Sequence, residues 1–375
     1  MHICFIVEGY PYSGDPFMTF IRELVIELAD NGVKCTVVAP QSISRSIRLG
    51  LPIRPKHWVD HSNNGALINV YQPKYISLSN KGRKLSNKFL YCIVNKCVSE
   101  IDEDIDCYYA HFWHMGLIAS HIKDNKPIFV ACGESEIIVQ DFSDELEIKN
   151  LISRTKGIIY VSSENIEKSK SKGLHKEPYI VAPNGFSRNA FFPKDKSTCR
   201  HQLGWNDDSF IISFLGGFVE RKGPDRLCKA IDLLAKKGKT ISSCFIGSGY
   251  IDPQCSNILF KGKLEHDKVI DYLCSSDVFV LPTLQEGCCN AIIEALACGL
   301  PVISSNRHFN DDILDSNCSI RVNTENVEEI ANAIEQLYDN PSVLYELRMG
   351  AINKAKSLTI DARARRIITF INENL

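Results

Sequence analysis

The stretch Phe210-Ile-Ile-Ser-Phe-Leu215-Gly216-Gly217-Phe218-Val219-Glu220-Arg221-Lys222-Gly223-Pro224-Asp225 decides how this sequence folds. A short apolar run reads as a buried strand, two glycines end it, and Pro224, suited to the first position of a helix, opens a helical pattern running to Lys236. Strand, glycine turn and helix in succession open a βαβ unit. Glycines let the backbone approach a ligand, a helix start favours an anion, and adjacent Arg221 and Lys222 can neutralise a diphosphate. A tight turn carrying two solvated cations is the competing reading. The G-x-G-x-x-G fingerprint of dinucleotide oxidoreductases is absent.

A second stretch repeats the logic: Leu281-Pro-Thr-Leu-Gln-Glu286-Gly287-Cys288-Cys289-Asn290-Ala-Ile-Ile-Glu294. It predicts Glu286 in the loop after a strand, small residues at the helix entrance, and Glu294 about one turn inside the helix. Free N–H groups at that entrance can meet phosphate or sugar oxygens, and Glu294 can accept hydrogen bonds from a ribose diol. A surface helix with an incidental glutamate is the alternative.

The same rhythm extends outward. Strands are predicted at Ser242–Ile246, Ile258–Phe260, Val278–Leu281 and Pro301–Ser304, and upstream at Ile3–Val7, Lys34–Ala39, Cys107–Ala110, Pro127–Cys132 and Gly157–Val161, with helical patterns between them. The helix from about Phe17 to Asp30 ends on Asn31-Gly32, a C-cap signal. Periodicity lapses at Tyr179–Gly185 and Phe192–Ser197, and after Phe309 the pattern is mainly helical. The expected fold is therefore α/β: two Rossmann-like, doubly wound domains spanning 1–185 and 186–359, with a helix at about 360–375 packing back on the first. A cleft is expected at the carboxyl ends of both sheets, where open α/β sheets bind ligands.

Composition agrees. With 375 residues, 44% hydrophobic and 23% charged, the chain is neither disordered nor small enough for one core. It opens with no basic n-region or bilayer-length apolar run, so it is expected to be neither secreted nor membrane-spanning. Fifteen scattered cysteines without a CxxC pair read as reduced, mostly buried thiols of a cytoplasmic protein. A net charge of −2 argues against nucleic acid as a partner, yet residues 31–98 carry eleven Lys and Arg against Asp60, while 99–147 carry twelve acids against Lys123 and Lys126.

Several segments in chain order carry a family resemblance: Gly217-Phe-Val-Glu-Arg-Lys-Gly223, Ile246-Gly-Ser-Gly-Tyr250, Phe260-Lys-Gly-Lys-Leu264, the Glu286/Glu294 pair, and Gly299-Leu-Pro-Val-Ile303. Upstream, Tyr109-Ala-His111-Phe-Trp and Val181-Ala-Pro-Asn184-Gly185 agree. Together they resemble the retaining, family 4 glycosyltransferases of the GT-B fold, close to those that build bacterial surface polysaccharides. The resemblance implies transfer of a hexose or related sugar from a nucleotide diphosphate sugar, UDP-sugar favoured, to a glycan or lipid-linked acceptor, with no metal or other cofactor. It assigns Arg221 and Lys222 to the diphosphate, Glu294 to the ribose, and Glu286 to the donor sugar near the reacting carbon. Lys263 and Leu264 match the loop that reads the base, and His111 the histidine beside the donor sugar. Gly217, Gly287, Cys288, Cys289 and Asn290 would complete the donor site.

The chain departs from the family in its first turn, Glu8-Gly-Tyr-Pro-Tyr-Ser-Gly14, which lacks the double glycine; Gly14 is the residue left to approach the phosphate. Glu134, after the strand ending at Cys132, is an acceptor-side candidate. His111 has a second reading as a packed core histidine. Asp104-Ile-Asp106 spells a metal-holding DxD but precedes its strand, at the wrong end of the sheet. The basic stretch 31–98, with Arg45, Arg48, Arg54, Lys56, Lys81, Arg83, Lys84 and Lys88, suggests contact with an anionic membrane at its inner face; a solvated face that balances the acidic stretch is the alternative. Competing functions on the same fold are a nucleotide-sugar epimerase, a phosphorylase, or a catalytically silent binding module.

Overall fold

The computed structural model describes residues 1–12, 17–78 and 82–375. Contacts divide the chain into two units, Met1–Ala182 with Ile360–Leu375, and Pro183–Thr359. The division falls three residues ahead of the expected break after Gly185.

The first unit holds strands β1 (His2–Ile6), β2 (Lys34–Val38), β3 (Gln41–Ser42), β4 (His57–His61), β5 (Leu67–Tyr71), β6 (Lys74–Tyr75), β7 (Cys107–His111), β8 (Ile128–Cys132), β9 (Thr155–Tyr160) and β10 (Tyr179–Val181). Eight of them form one sheet in the order β10-β9-β8-β7-β1-β2-β5-β4, parallel except for β4, which runs antiparallel to β5; β3 and β6 pair separately. The central strands are buried throughout and mostly apolar because both faces are covered, as parallel sheets require. The helix Ile360–Asn374 buries Ile367, Phe370 and Ile371 in this unit's core. Gly157 makes that docking possible: a Cβ there would lie 2.8 Å from the Phe370 ring.

The second unit holds β11 (Phe210–Leu215), β12 (Ile241–Ile246), β13 (Ile258–Gly262), β14 (Val278–Leu281), β15 (Val302–Ser305) and β16 (Ser319–Val322), all parallel, in the order β13-β12-β11-β14-β15-β16. The helix Pro224–Lys236 buries Leu227, Ala230, Ile231 and Leu234, one helical face against the sheet. Each large apolar side chain so covered contributes roughly 1.5–3 kcal/mol.

The predicted strands and helices recur within a residue or two. Missed were β4 and β5, an edge hairpin whose polar alternation hides it, the two-residue strands β3 and β6, β16, set among helices, and β10, a short edge strand at Tyr179–Val181 inside the stretch where periodicity lapses. No helix among the described residues is long and apolar enough to cross a membrane.

Candidate active site

In the second unit the strand order reverses between β11 and β14, the switch point outside whose carboxyl ends open α/β sheets bind ligands. The loops leaving those two strands are the two stretches singled out by sequence, and they are tied together. Leu284 N donates to Arg221 O at 2.8 Å, and the buried Arg226 guanidinium donates to Pro282 O at 2.7 Å. Gly223, at φ 74°, caps the helix start where a Cβ would meet Pro282 O at 2.7 Å, so only glycine fits.

This clamp presents three charges as one group. Glu286, with its side chain 9% exposed, bridges both cations: Lys222 Nζ lies 2.6 Å from Oε1 and Arg221 Nη1 3.1 Å from Oε2. Thr283 Oγ1 donates to Glu286 Oε1 at 2.6 Å, and Arg221 also donates to Gln285 O. Burial opposes the Lys222 charge, but Cys289 and Glu286 beside it outweigh burial and hold its ammonium above the usual lysine range. Burial in turn pushes the Cys289 thiol up to about 11, so it is a neutral thiol near pH 7 and no ready nucleophile. Two cations on one carboxylate leave an excess of one positive charge at the switch point.

The helix Asn290–Ala297 begins beside this group, and its N-cap Cys289 supplies no side-chain cap, which leaves the first-turn amides to other acceptors. Glu294 projects one turn along it, 3.5 Å from His266 Nε2. Asn184 ties down the entrance: its Nδ2 donates to Asn290 Oδ1 at 2.8 Å and its N–H to Cys288 Sγ at 3.3 Å. Gly217 belongs to the turn after β11, stitched to the next loop by Phe218 N donating to Ser248 O at 2.9 Å. Lys263, exposed, and Leu264, half-buried, follow β13, two strands from β11 at the same carboxyl edge.

The remaining predicted residues belong to the first unit. His111 ends β7, 2% exposed, with its ring 4.4 Å from Phe112 and 5.4 Å from Phe20. Burial, followed by the nearby Arg363 charge, pushes its imidazole down to about 3, so it is neutral, and Nδ1 has no hydrogen-bond partner among the described residues. Glu134 accepts from Trp113 N at 2.5 Å and Gly133 N at 3.0 Å, capping the helix Trp113–Ala119. Burial outweighs these donors and pushes its carboxyl up to about 7. Gly14 lies outside the described residues. The DxD carboxylates stand at the amino end of β7, Asp104 on Lys126 Nζ at 2.8 Å and Asp106 accepting from His2 N at 2.7 Å.

Sequence reading missed two contributors. His266 carries no motif, and only its place two residues after Leu264, at a helix start, could have flagged it. Asn184 was quoted as part of the resemblance but given no role; its Pro-Asn-Gly setting was the signal.

The comparisons accord with this geometry. Residues 209–340 match the family described as Glycosyl transferases group 1. A D-inositol 3-phosphate glycosyltransferase of Paenarthrobacter aurescens is 24% identical over 92% of this chain and 90% of its own length. A GDP-mannose-dependent monoacylated alpha-(1-6)-phosphatidylinositol monomannoside mannosyltransferase of Corynebacterium glutamicum is 26% identical over 53% of this chain, which spans 56% of that relative. Among solved structures, sucrose-phosphate synthase from Thermosynechococcus elongatus superposes with TM-score 0.79 at 17% identity, covering 99% of this chain and 98% of that one. Anabaena HepE in complex with UDP-glucose gives 0.71 at 15% identity, with both chains covered completely. The fold is GT-B. Residues 209–340 are similar to the group 1 glycosyl transferases, and most of the chain is similar to curated glycosyltransferases at 23–25% identity.

Proposed function

We propose that the protein transfers a sugar, with retention of configuration, from a nucleotide diphosphate sugar to a glycan or lipid-linked acceptor in surface polysaccharide or glycolipid synthesis. The observation that carries this reading is the Arg221–Glu286–Lys222 group at the switch point, beside an uncapped helix start. When the bond from the sugar carbon to the diphosphate breaks, negative charge grows on the leaving oxygen and positive charge on the sugar ring. Fixed cations and N–H dipoles aimed at the first, and a carboxylate near the second, stabilise both without reorganising. Arg221, Lys222 and the amides at Asn290 serve the diphosphate in this reading, and Glu286 faces the sugar. Glu294, with His266 against it, accepts from the ribose hydroxyls. The acceptor hydroxyl attacks from the face the diphosphate leaves, passing its proton to a diphosphate oxygen. His111 and Glu134 remain acceptor-side or sugar-contact candidates of the first unit.

UDP-glucose on HepE supports a UDP-sugar here, while the mannosyltransferase relative is GDP-dependent by its name. A thermal-shift comparison of UDP-, GDP- and ADP-sugars tests the donor, because a ligand of the native state raises apparent stability. Turnover of the stabilising donor only when an acceptor is supplied separates a transferase from an epimerase, and binding without any turnover marks a silent module.

Peripheral membrane contact is a further part of this reading, favoured by exposed apolar residues among the basic ones. Ile47 is 71% exposed, Ile53 52% and Phe89 44%, near Arg48, Lys84 and Lys88. Arg54 is buried, donating to Tyr10 O at 2.7 Å, and leaves the patch; Lys81 lies outside the described residues. Among the described residues, ion pairs joining the basic stretch to the acidic one include Lys34–Glu103 at 3.2 Å and Lys96–Glu100 at 3.8 Å.

A further inference from the structure

The first unit has its own switch point, between β1 and β7. Glu8 follows β1, His114 lies in the first turn of the helix after β7, and the helices Ile43–Leu49 and Arg83–Ser99 contribute to the walls around them. Together they line a cavity of about 450 Å³ whose charged lining among the described residues is Arg45, Arg48, Arg83, Glu8 and His114. Three guanidiniums thus face one carboxylate. That carboxylate is already engaged, with Glu8 Oε1 3.3 Å from His114 Nδ1, while His114 Nε2 is held by the buried Asn87 at 3.0 Å. Arg83 stacks over the Phe142 ring at 3.8 Å, which fixes its direction without neutralising it. The Arg45 and Arg48 side chains make no hydrogen bond or ion pair among the described residues. Burial works against the Glu8 charge, yet His114, Arg83 and Arg45 hold its carboxyl below the ordinary range, so these cations act on the same space.

A lining whose described residues carry two positive charges in excess is costly to assemble unless a matching anion occupies it. A phosphate group carries close to two negative charges near pH 7, and guanidinium forks match its oxygens in pairs. The mouth is different in kind: Leu49 is 54% exposed, Leu78 45% and Phe17 42%, and all three line the same cavity. We propose that this cavity binds a phosphate group of the acceptor, with the apolar rim receiving whatever chain that phosphate bears. The inference rests on the transferase reading and narrows its acceptor to a phosphorylated compound.

Calorimetric titration of the full-length protein with octyl phosphate, octanoate, octanol and inorganic phosphate tests it. Octyl phosphate is expected to bind at least tenfold tighter than octanoate or octanol. The Arg45→Gln/Arg48→Gln variant, both positions exposed, should lose at least tenfold of that affinity with an unchanged melting profile. Lys149→Gln/Lys170→Gln, at exposed helix positions of the same unit, removes the same two charges elsewhere and should bind as wild type. Octyl phosphate binding tenfold tighter than inorganic phosphate assigns a lipid-borne phosphate; equal binding assigns a soluble phosphorylated sugar. Octanoate binding as tightly as octyl phosphate, or affinity indifferent to the double substitution, overturns the proposal. The donor reading is scored separately by UDP-, GDP- and ADP-induced stabilisation. If none stabilises while the arginines still govern octyl phosphate binding, the transferase reading fails alone; the reverse pattern fails this inference alone.

Discussion

The two units are built on one plan and charge their switch points in different ways. In the second, two cations share one buried carboxylate, held by a threonine hydroxyl and clamped between two loops. In the first, three arginines line an open cavity around a carboxylate that a histidine already occupies. A tightly satisfied group keeps its geometry as charge develops, which suits the reacting end of a donor. An under-neutralised cavity binds an anion for its charge and tolerates variety in what is attached, which suits an acceptor. The contrast makes different losses for the same kind of substitution.

The largest is expected in the second unit. Lys222→Ala removes a largely buried cation from the leaving diphosphate and should cut turnover by about 10² or more. Arg221→Ala, at a position 41% exposed, should do the same with the fold intact. Wild-type turnover of either variant at saturating donor would erase the contrast. Glu286→Ala should depress kcat and, by leaving Lys222 without its counter-charge, lower stability by ~3 kcal/mol in chemical denaturation. Glu294→Ala should chiefly raise the donor KM, through lost hydrogen bonds of roughly 1.5–3 kcal/mol. An exchange of these two kinetic signatures would mean the roles of the glutamates are swapped.

Metal removal offers a sharper division. Asp104 and Asp106 are bound to Lys126 and the His2 backbone at the amino end of their sheet, and the diphosphate has protein cations in this reading. Turnover should therefore persist in EDTA; complete loss restored by Mg²⁺ or Mn²⁺ would contradict it.

The last effect is one of stability, spread over a range of pH rather than read as turnover. Burial lowers the His111 pKa from 6.5 to about 3, so between those values the unfolded chain binds the extra proton. Stability should fall as pH drops below 6.5, by up to ~1.4 kcal/mol per pH unit, and His111→Phe should flatten that slope. Parallel pH profiles of the two proteins would place His111 outside the buried cluster.

What was legible in the sequence was local. Strand, glycine loop and helix follow one another within about fifteen residues, so spacing could place Arg221, Lys222, Glu286 and Glu294 at loop and helix starts, while the roles proposed for them lean on the family resemblance. The Glu286 bridge was not legible, because it joins loops more than sixty residues apart that only the β11–β14 pairing brings together. The arginine cavity escaped for the same reason. Read along the chain, Arg45, Arg48, Arg54 and Arg83 formed one undivided basic stretch; folded, Arg54 is a core ligand of Tyr10 O and the other three face one cavity. Glu134 is a further case. Its place after a strand suggested an acceptor-side role, and the fold adds what the sequence did not show, that its carboxylate accepts from two backbone amides.

The most direct test of the central claim compares a nucleoside diphosphate with its nucleoside by calorimetry, using whichever of UDP, GDP or ADP stabilises the protein most. If the Arg221–Glu286–Lys222 group holds a donor diphosphate, the diphosphate should bind at least tenfold tighter than the nucleoside, and Arg221→Gln should remove most of that advantage. Equal binding of the two ligands, or an advantage that Arg221→Gln leaves whole, would contradict the account.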